Sequence, residues 1–180
     1  MLCLQSETKP EWVQVASRHL ENILIDHAHC EKKAATNGMS MIARYPDKDK
    51  LVREMIALII EETQHFGFIF EELQKRGISL TRDKGDFYAQ QLTLHIRKNE
   101  PDRFLDFLLV DALIEARSCE RFSLLSKCED IAPDLRELYH SLLVSEAGHY
   151  RTFTDIAREY FPVDEVKKRL TELAAIEAEI

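Results

Sequence analysis

Apolar residues recur at intervals of three and four along most of the chain. Trp12, Val15, Ala16, Leu20, Ile23 and Leu24 form one such stripe, continued by His27 and Glu31, and predict a helix over about 10–36. Asn37-Gly38 supplies a stop. A second helix is predicted from about 47 to 76, with Asp47 as its cap and Gly77 just past its end. A third begins at Pro101-Asp102 and runs to about 127. It carries Phe104, Leu105, Leu108, Leu109, Ala112 and Glu115 on its inner side. A fourth begins after "APD" at 132–134 and reaches about 160, where Phe161-Pro162 interrupts it. A fifth, over about 163–179, is charged and amphipathic.

Between Gly77 and Glu100 the pattern weakens, although "FYAQQLTLHIRK" within this stretch suits a helix. The link is long for a connection between neighbouring helices of a bundle. It lets the chain travel the length of a bundle, so that the next helix starts at the opposite end. The prediction is therefore an all-α fold: a four-helix bundle of ferritin-like topology, with its long crossover between the second and third helices and an extra C-terminal helix. No low-complexity tract or linker splits residues 1–180, which read as one domain.

Composition agrees with long helices. Of the 180 residues, 45% are apolar and 31% charged, while Gly and Pro number five each. No apolar run is long enough for a transmembrane helix. "MLCLQSETKPEW" lacks a basic region followed by an apolar run, so no secretory signal is expected. Cys3, Cys30, Cys119 and Cys128 form no C-x-x-C; reduced thiols in a cytoplasmic protein are the simpler expectation. A net charge of −8 argues against a general nucleic-acid binder.

Candidate chemistry lies in "EETQHF" and "SEAGHY". Glu62 and His65 stand three apart, as do Glu146 and His149. Residues at that spacing share a helix face, so a carboxylate and an imidazole can approach one ion together. Alone, such a pair in a Glu-rich helical chain is more often a solvent-facing patch. However, Glu31 stands 31 residues before Glu62, and Glu115 stands 31 residues before Glu146. Antiparallel helices joined by a turn bring equally distant residues to one height. Equal spans therefore put Glu31, Glu62, His65, Glu115, Glu146 and His149 in one layer, the ligand set of di-iron carboxylate bundles. Glu120 stands too close to Glu146 in sequence to share that layer. His27 and Asp111 lie one turn before Glu31 and Glu115, placed either to orient a ligand or to be ordinary core polar groups. Two redox ions among carboxylates suit oxygen chemistry, which favours iron; manganese tolerates the same ligands.

"LIDHAHCEKKAA", "EETQHF", "LIEARSCERF" and "SEAGHY" together resemble the bacterial tRNA hydroxylases that act on 2-methylthio-N6-isopentenyladenosine next to the anticodon. The resemblance spans about Leu20 to Tyr160. The family's metal ligands fall on the same six residues, each matching in type. It implies an O2-dependent non-haem di-iron monooxygenase with two Fe2+/Fe3+ ions, O2 as co-substrate and tRNA as substrate. Phe66, Leu113, Phe122, Leu142 and Phe153 suit an apolar pocket or a bundle core. Electrons would come from a separate reductase or ferredoxin, because the chain lacks the paired C-x-x-C of a rubredoxin-like module. Iron oxidation or storage of the ferritin and rubrerythrin kind is the alternative, since it shares the ligands. A metal-free interaction module would leave four glutamates buried and uncompensated, at several kcal/mol each.

Four ligand glutamates balanced by two divalent ions leave about −4 elsewhere, and local basic clusters decide nucleic-acid affinity. Arg44, Lys48, Lys50 and Arg53, at the first turn of the bundle, are the preferred tRNA-contacting cluster. Others lie at Lys75, Arg76, Arg82 and Lys84 and at Lys167, Lys168 and Arg169.

Overall fold

The computed structural model describes residues 2–180, which contain seven α-helices and no strand. They are α1 (Pro10–Arg18), α2 (Leu20–Arg44), α3 (Asp49–Lys75), α4 (Phe87–Thr93), α5 (Asp102–Lys127), α6 (Pro133–Tyr160) and α7 (Val163–Glu177). The chain divides into two compact units, Gln14–Lys84 and the N-terminal stretch to Val13 together with Gly85–Ile180. None of the described helices is long and apolar enough to cross a membrane. All four cysteines are free thiols.

Gln14–Lys84 is a hairpin of α2 and α3. Its core is Leu24, Ala28, Met41, Leu51, Met55, Leu58, Ile69 and Leu73, all buried. Three sequence expectations are corrected here. The predicted first helix is two helices, broken at His19. Asn37-Gly38 does not end α2, which continues to Arg44. Gly38 instead serves packing: a Cβ there would stand 2.8 Å from Ile59 Cγ1 on α3, so the missing side chain lets the two helices approach. Asp47 does not cap α3. Lys48 occupies that position without a side-chain cap, and Asp47 pairs with Lys48 Nζ at 3.2 Å. At the other end Gly77 has φ +66°, and Ile78 N donates to Leu73 O at 2.9 Å. This left-handed closure is the role glycine fills past a helix end.

In the other unit, α5 and α6 form a second hairpin, with α7 packed against both. Leu105, Leu108, Leu109, Leu113, Leu125, Leu135, Tyr139 and Ile156 fill its core. Pro133 opens α6 at a position where a missing N–H costs nothing. The ring of Phe104 meets Tyr160 and Phe161 at 5.6 and 5.8 Å, holding the end of α6 against the start of α5. Within the long link, Asp86 Oδ1 accepts from Ala89 N and caps α4.

Two buried ion networks lock this unit. In the first, Arg117 on α5 donates from Nε and Nη2 to the two carboxylate oxygens of Glu177, each at 2.8 Å. It also binds Glu120 and, at 3.2 Å, Thr8 Oγ1. Thr8 in turn donates from N and Oγ1 to Glu120 at 2.8 and 2.6 Å. Tyr88 OH adds a donor to Glu177 at 2.9 Å. In the second, Asp106, fully buried, accepts from Arg97 N, Nε and Nη2 and from Arg169 Nε and Nη2, all between 2.8 and 3.0 Å.

Burial alone would push the Asp106 carboxyl up, but the hydrogen bonds from Arg169 and Arg97 outweigh it and hold it below the ordinary carboxylate range. A carboxylate depressed in the folded state stabilises the fold at pH values above its unfolded value. That contribution is lost as pH falls through the folded value. Asp106→Asn is therefore expected to cost about 2–3 kcal/mol at pH 7, where two partly exposed arginines lose their partner. The gap from wild type should narrow below about pH 4. Urea midpoints of both proteins across pH 2–8 measure this; equal midpoints at pH 7 would refute it.

Candidate metal centre

In the α2–α3 hairpin, Glu31, Glu62 and His65 are all buried. Each offers a ligand atom within 4.8 Å of the others. His65 Nδ1 stands 3.9 Å from Glu31 Oε2 and 3.8 Å from Glu62 Oε2. These separations are too long for hydrogen bonds. They suit atoms sharing one ion, since two ligands each about 2.1 Å from a metal lie roughly 3–4 Å apart.

The α5–α6 hairpin repeats the arrangement. Glu115, Glu146 and His149 are buried, with ligand atoms within 4.8 Å of one another. His149 Nδ1 lies 3.9 Å from Glu146 Oε2. Glu146 Oε1, also buried, accepts no hydrogen bond. A buried carboxylate oxygen with no donor costs several kcal/mol unless a cation meets it. Oxygen and imidazole donors are what a first-row divalent ion takes. On this observation the residues fit a metal.

His27 Nε2 lies 2.6 Å from Glu31 Oε1. Burial, reinforced by the nearby His65, lowers the His27 pKa to about 3 despite the opposing charge of Glu62. The ring is therefore neutral at physiological pH and donates an Nε2–H to the Glu31 carboxylate, fixing its orientation. Asp111 is half-buried on α5. Glu61, unassigned in the sequence, places Oε1 3.9 Å from His65 Nε2. At that distance it is no hydrogen bond, and the Glu61 side chain is 44% exposed.

Glu120, set aside on spacing, is engaged by Thr8 and Arg117. Of the proposed apolar pocket residues, Leu113, Phe122, Leu142 and Phe153 are buried, and Phe66 is half-buried, stacked on Phe70 at 6.1 Å. Arg44 ends α2 and Lys48 precedes α3. Arg44 and Arg53 are exposed, while Lys48 and Lys50 are half-buried.

Over residues 1–180 the chain matches the family described as tRNA-(MS[2]IO[6]A)-hydroxylase (MiaE). It is 36% identical over 173 residues to a tRNA 2-(methylsulfanyl)-N(6)-isopentenyladenosine(37) hydroxylase of Pseudomonas putida, covering 96% of this chain and 83% of that protein. A protein of the same name from Salmonella typhimurium is 27% identical over 226 residues, covering 98% and 83%. Among solved structures, a Synechococcus protein described as having aldehyde deformylating oxygenase activity superposes with a TM-score of 0.96 at 38% identity. The match covers 99% of this chain and 89% of that one. The fold is thus of the all-α, ferritin-like class that the sequence predicts. With a match along its whole length, the chain belongs to the tRNA-(MS[2]IO[6]A)-hydroxylase (MiaE) family.

Proposed function

We propose that this protein is an O2-dependent di-iron monooxygenase that hydroxylates the isopentenyl side chain of 2-methylthio-N6-isopentenyladenosine next to the anticodon of tRNA. One observation carries this reading: a buried Glu and Glu-x-x-His set occurs twice, at one spacing, in a chain of this family. The chain is one ferritin-like domain in this reading, and it holds two iron ions.

When bound, the iron pair supplies the reduction of O2 and the oxidation of an unactivated C–H bond. One oxygen atom enters the substrate and the other leaves as water, with two electrons and two protons consumed. A separate reductase or ferredoxin delivers the electrons, and the reaction takes place in the cytoplasm. Glu31, Glu62, Glu115 and Glu146 bring four negative charges, which offset those of two divalent ions. His65 and His149 complete the donor set. His27 holds the Glu31 carboxylate in place through its Nε2–H. Asp111, one turn before Glu115, is the candidate acceptor for orienting a ligand histidine on that side. Buried Leu113, Leu142 and Phe153 keep water from the α5–α6 half-site.

The test is nucleoside analysis after incubation with iron, O2, a reductant and tRNA bearing the isopentenyl modification. The modified nucleoside is expected to gain one oxygen atom. If it gains none while the protein oxidises and retains excess iron, the function is iron storage. Deformylation of an aldehyde without nucleoside oxidation would point to the activity named for the Synechococcus protein.

A further inference from the structure

The end of α4, the turn after it and the first turns of α5 border an open pocket of about 380 Å³ lined by Thr93, Ile96, Arg97, Lys98, Arg103 and Phe107. Three of the six are cations, in a chain of net charge −8. Arg97 is committed: Asp106 and Asp102 take its guanidinium on both sides. It forms a fixed wall, anchored through fully buried Asp106. Lys98 and Arg103 make no ion pair among the described residues. Lys98 is exposed, and Arg103 lays its guanidinium over the Phe107 ring at 5.4 Å from the centroid.

This is a cationic plane backed by an aromatic ring, with a second, exposed cation beside it and an apolar edge at Ile96. An unstacked base takes such a plane by stacking on the guanidinium, while the ammonium meets an adjacent phosphate. Arg103 and Phe107 precede Glu115 on α5 by twelve and eight residues, about 18 and 12 Å along the axis. A polynucleotide held at the cavity thus lies within a few nucleotides of the α5–α6 half-site. We propose that this cavity, rather than the 44–53 cluster, receives a single-stranded segment of the tRNA loop, with one base stacked on Arg103 and a phosphate on Lys98. The inference rests on tRNA being the substrate.

The experiment is fluorescence anisotropy of iron-loaded protein with tRNA carrying 2-methylthio-N6-isopentenyladenosine, at several salt concentrations. Arg103→Ala is expected to weaken binding about tenfold. Arg103→Lys should restore the salt-dependent part and little of the rest. Lys98→Ala should reduce the log–log salt slope by just under about one. In hydroxylation assays these variants should raise KM while kcat at saturating tRNA and iron content stay at wild-type values. Wild-type affinity and slope in both Ala variants would overturn the proposal, as would an equivalent loss in Arg53→Ala with none in Arg103→Ala. If wild-type protein hydroxylates tRNA and the variants match it, this cavity alone is refuted. If wild-type protein neither binds nor hydroxylates tRNA, the proposed function falls as well.

Discussion

Glu62→Ala and His149→Ala are each expected to leave purified protein with well under one iron ion per chain, against about two in the wild type. The two residues sit in different hairpins, on α3 and α6. Loss of both ions in each variant is the result expected if Glu62 and His149 serve one ion pair. Two independent half-sites would behave differently, each variant keeping about one ion. Iron content therefore reports on how the site is assembled as well as on which residues form it. Both variants should keep their far-UV circular dichroism, since removing a buried carboxylate or imidazole that faces a metal also removes a desolvation cost. Unchanged iron in both would refute the ligand assignment. Hydroxylation should vanish with the iron, and added ferrous salt should not restore it.

Arg117→Met should produce the largest loss of stability in the chain. Arg117 holds both oxygens of Glu177 in a forked pair and also reaches Glu120 and Thr8. Glu177 and Glu120 are themselves buried. Without the guanidinium, two buried carboxylates face each other's surroundings with only hydroxyl and amide donors left. Breaking a buried pair in this way costs about 3–5 kcal/mol, which for a chain of this length lowers Tm by roughly 10 °C or more. Arg117→Lys should recover little, because an ammonium cannot match the fork that engages both oxygens of Glu177. Adding Glu177→Gln to Arg117→Met should recover part of the loss by removing the stranded charge. Iron content at 25 °C should stay near wild type in all of these, which separates a structural lock from the metal site. A thermal melt within a degree or two of wild type for Arg117→Met would refute the assignment.

Local periodicity made most of the fold legible. α5, α6 and α7 begin within two residues of their expected starts, because Pro101, Pro133 and Pro162 mark them. The misreadings occurred where a local signal served a tertiary purpose. Gly38 reads as a stop until Ile59 is seen against it. The candidate ligands could be picked out because a metal site imposes spacing on the sequence. The Arg117 network could not. Arg117 lies 60 residues from Glu177 and 109 from Thr8, and nothing in the composition of α5 marks which partners a charged residue will meet across such distances.

Those same distances set an order of events during synthesis. The α2–α3 hairpin closes over a four-residue turn and needs nothing from the rest of the chain to begin pairing. Thr8 leaves the ribosome early, yet its partners Glu120 and Arg117 follow more than a hundred residues later. Glu177, the group that completes the Arg117 fork, is the fourth residue from the end of the sequence. The contacts of the first residues with Arg117 are therefore complete only after Glu177 has been made.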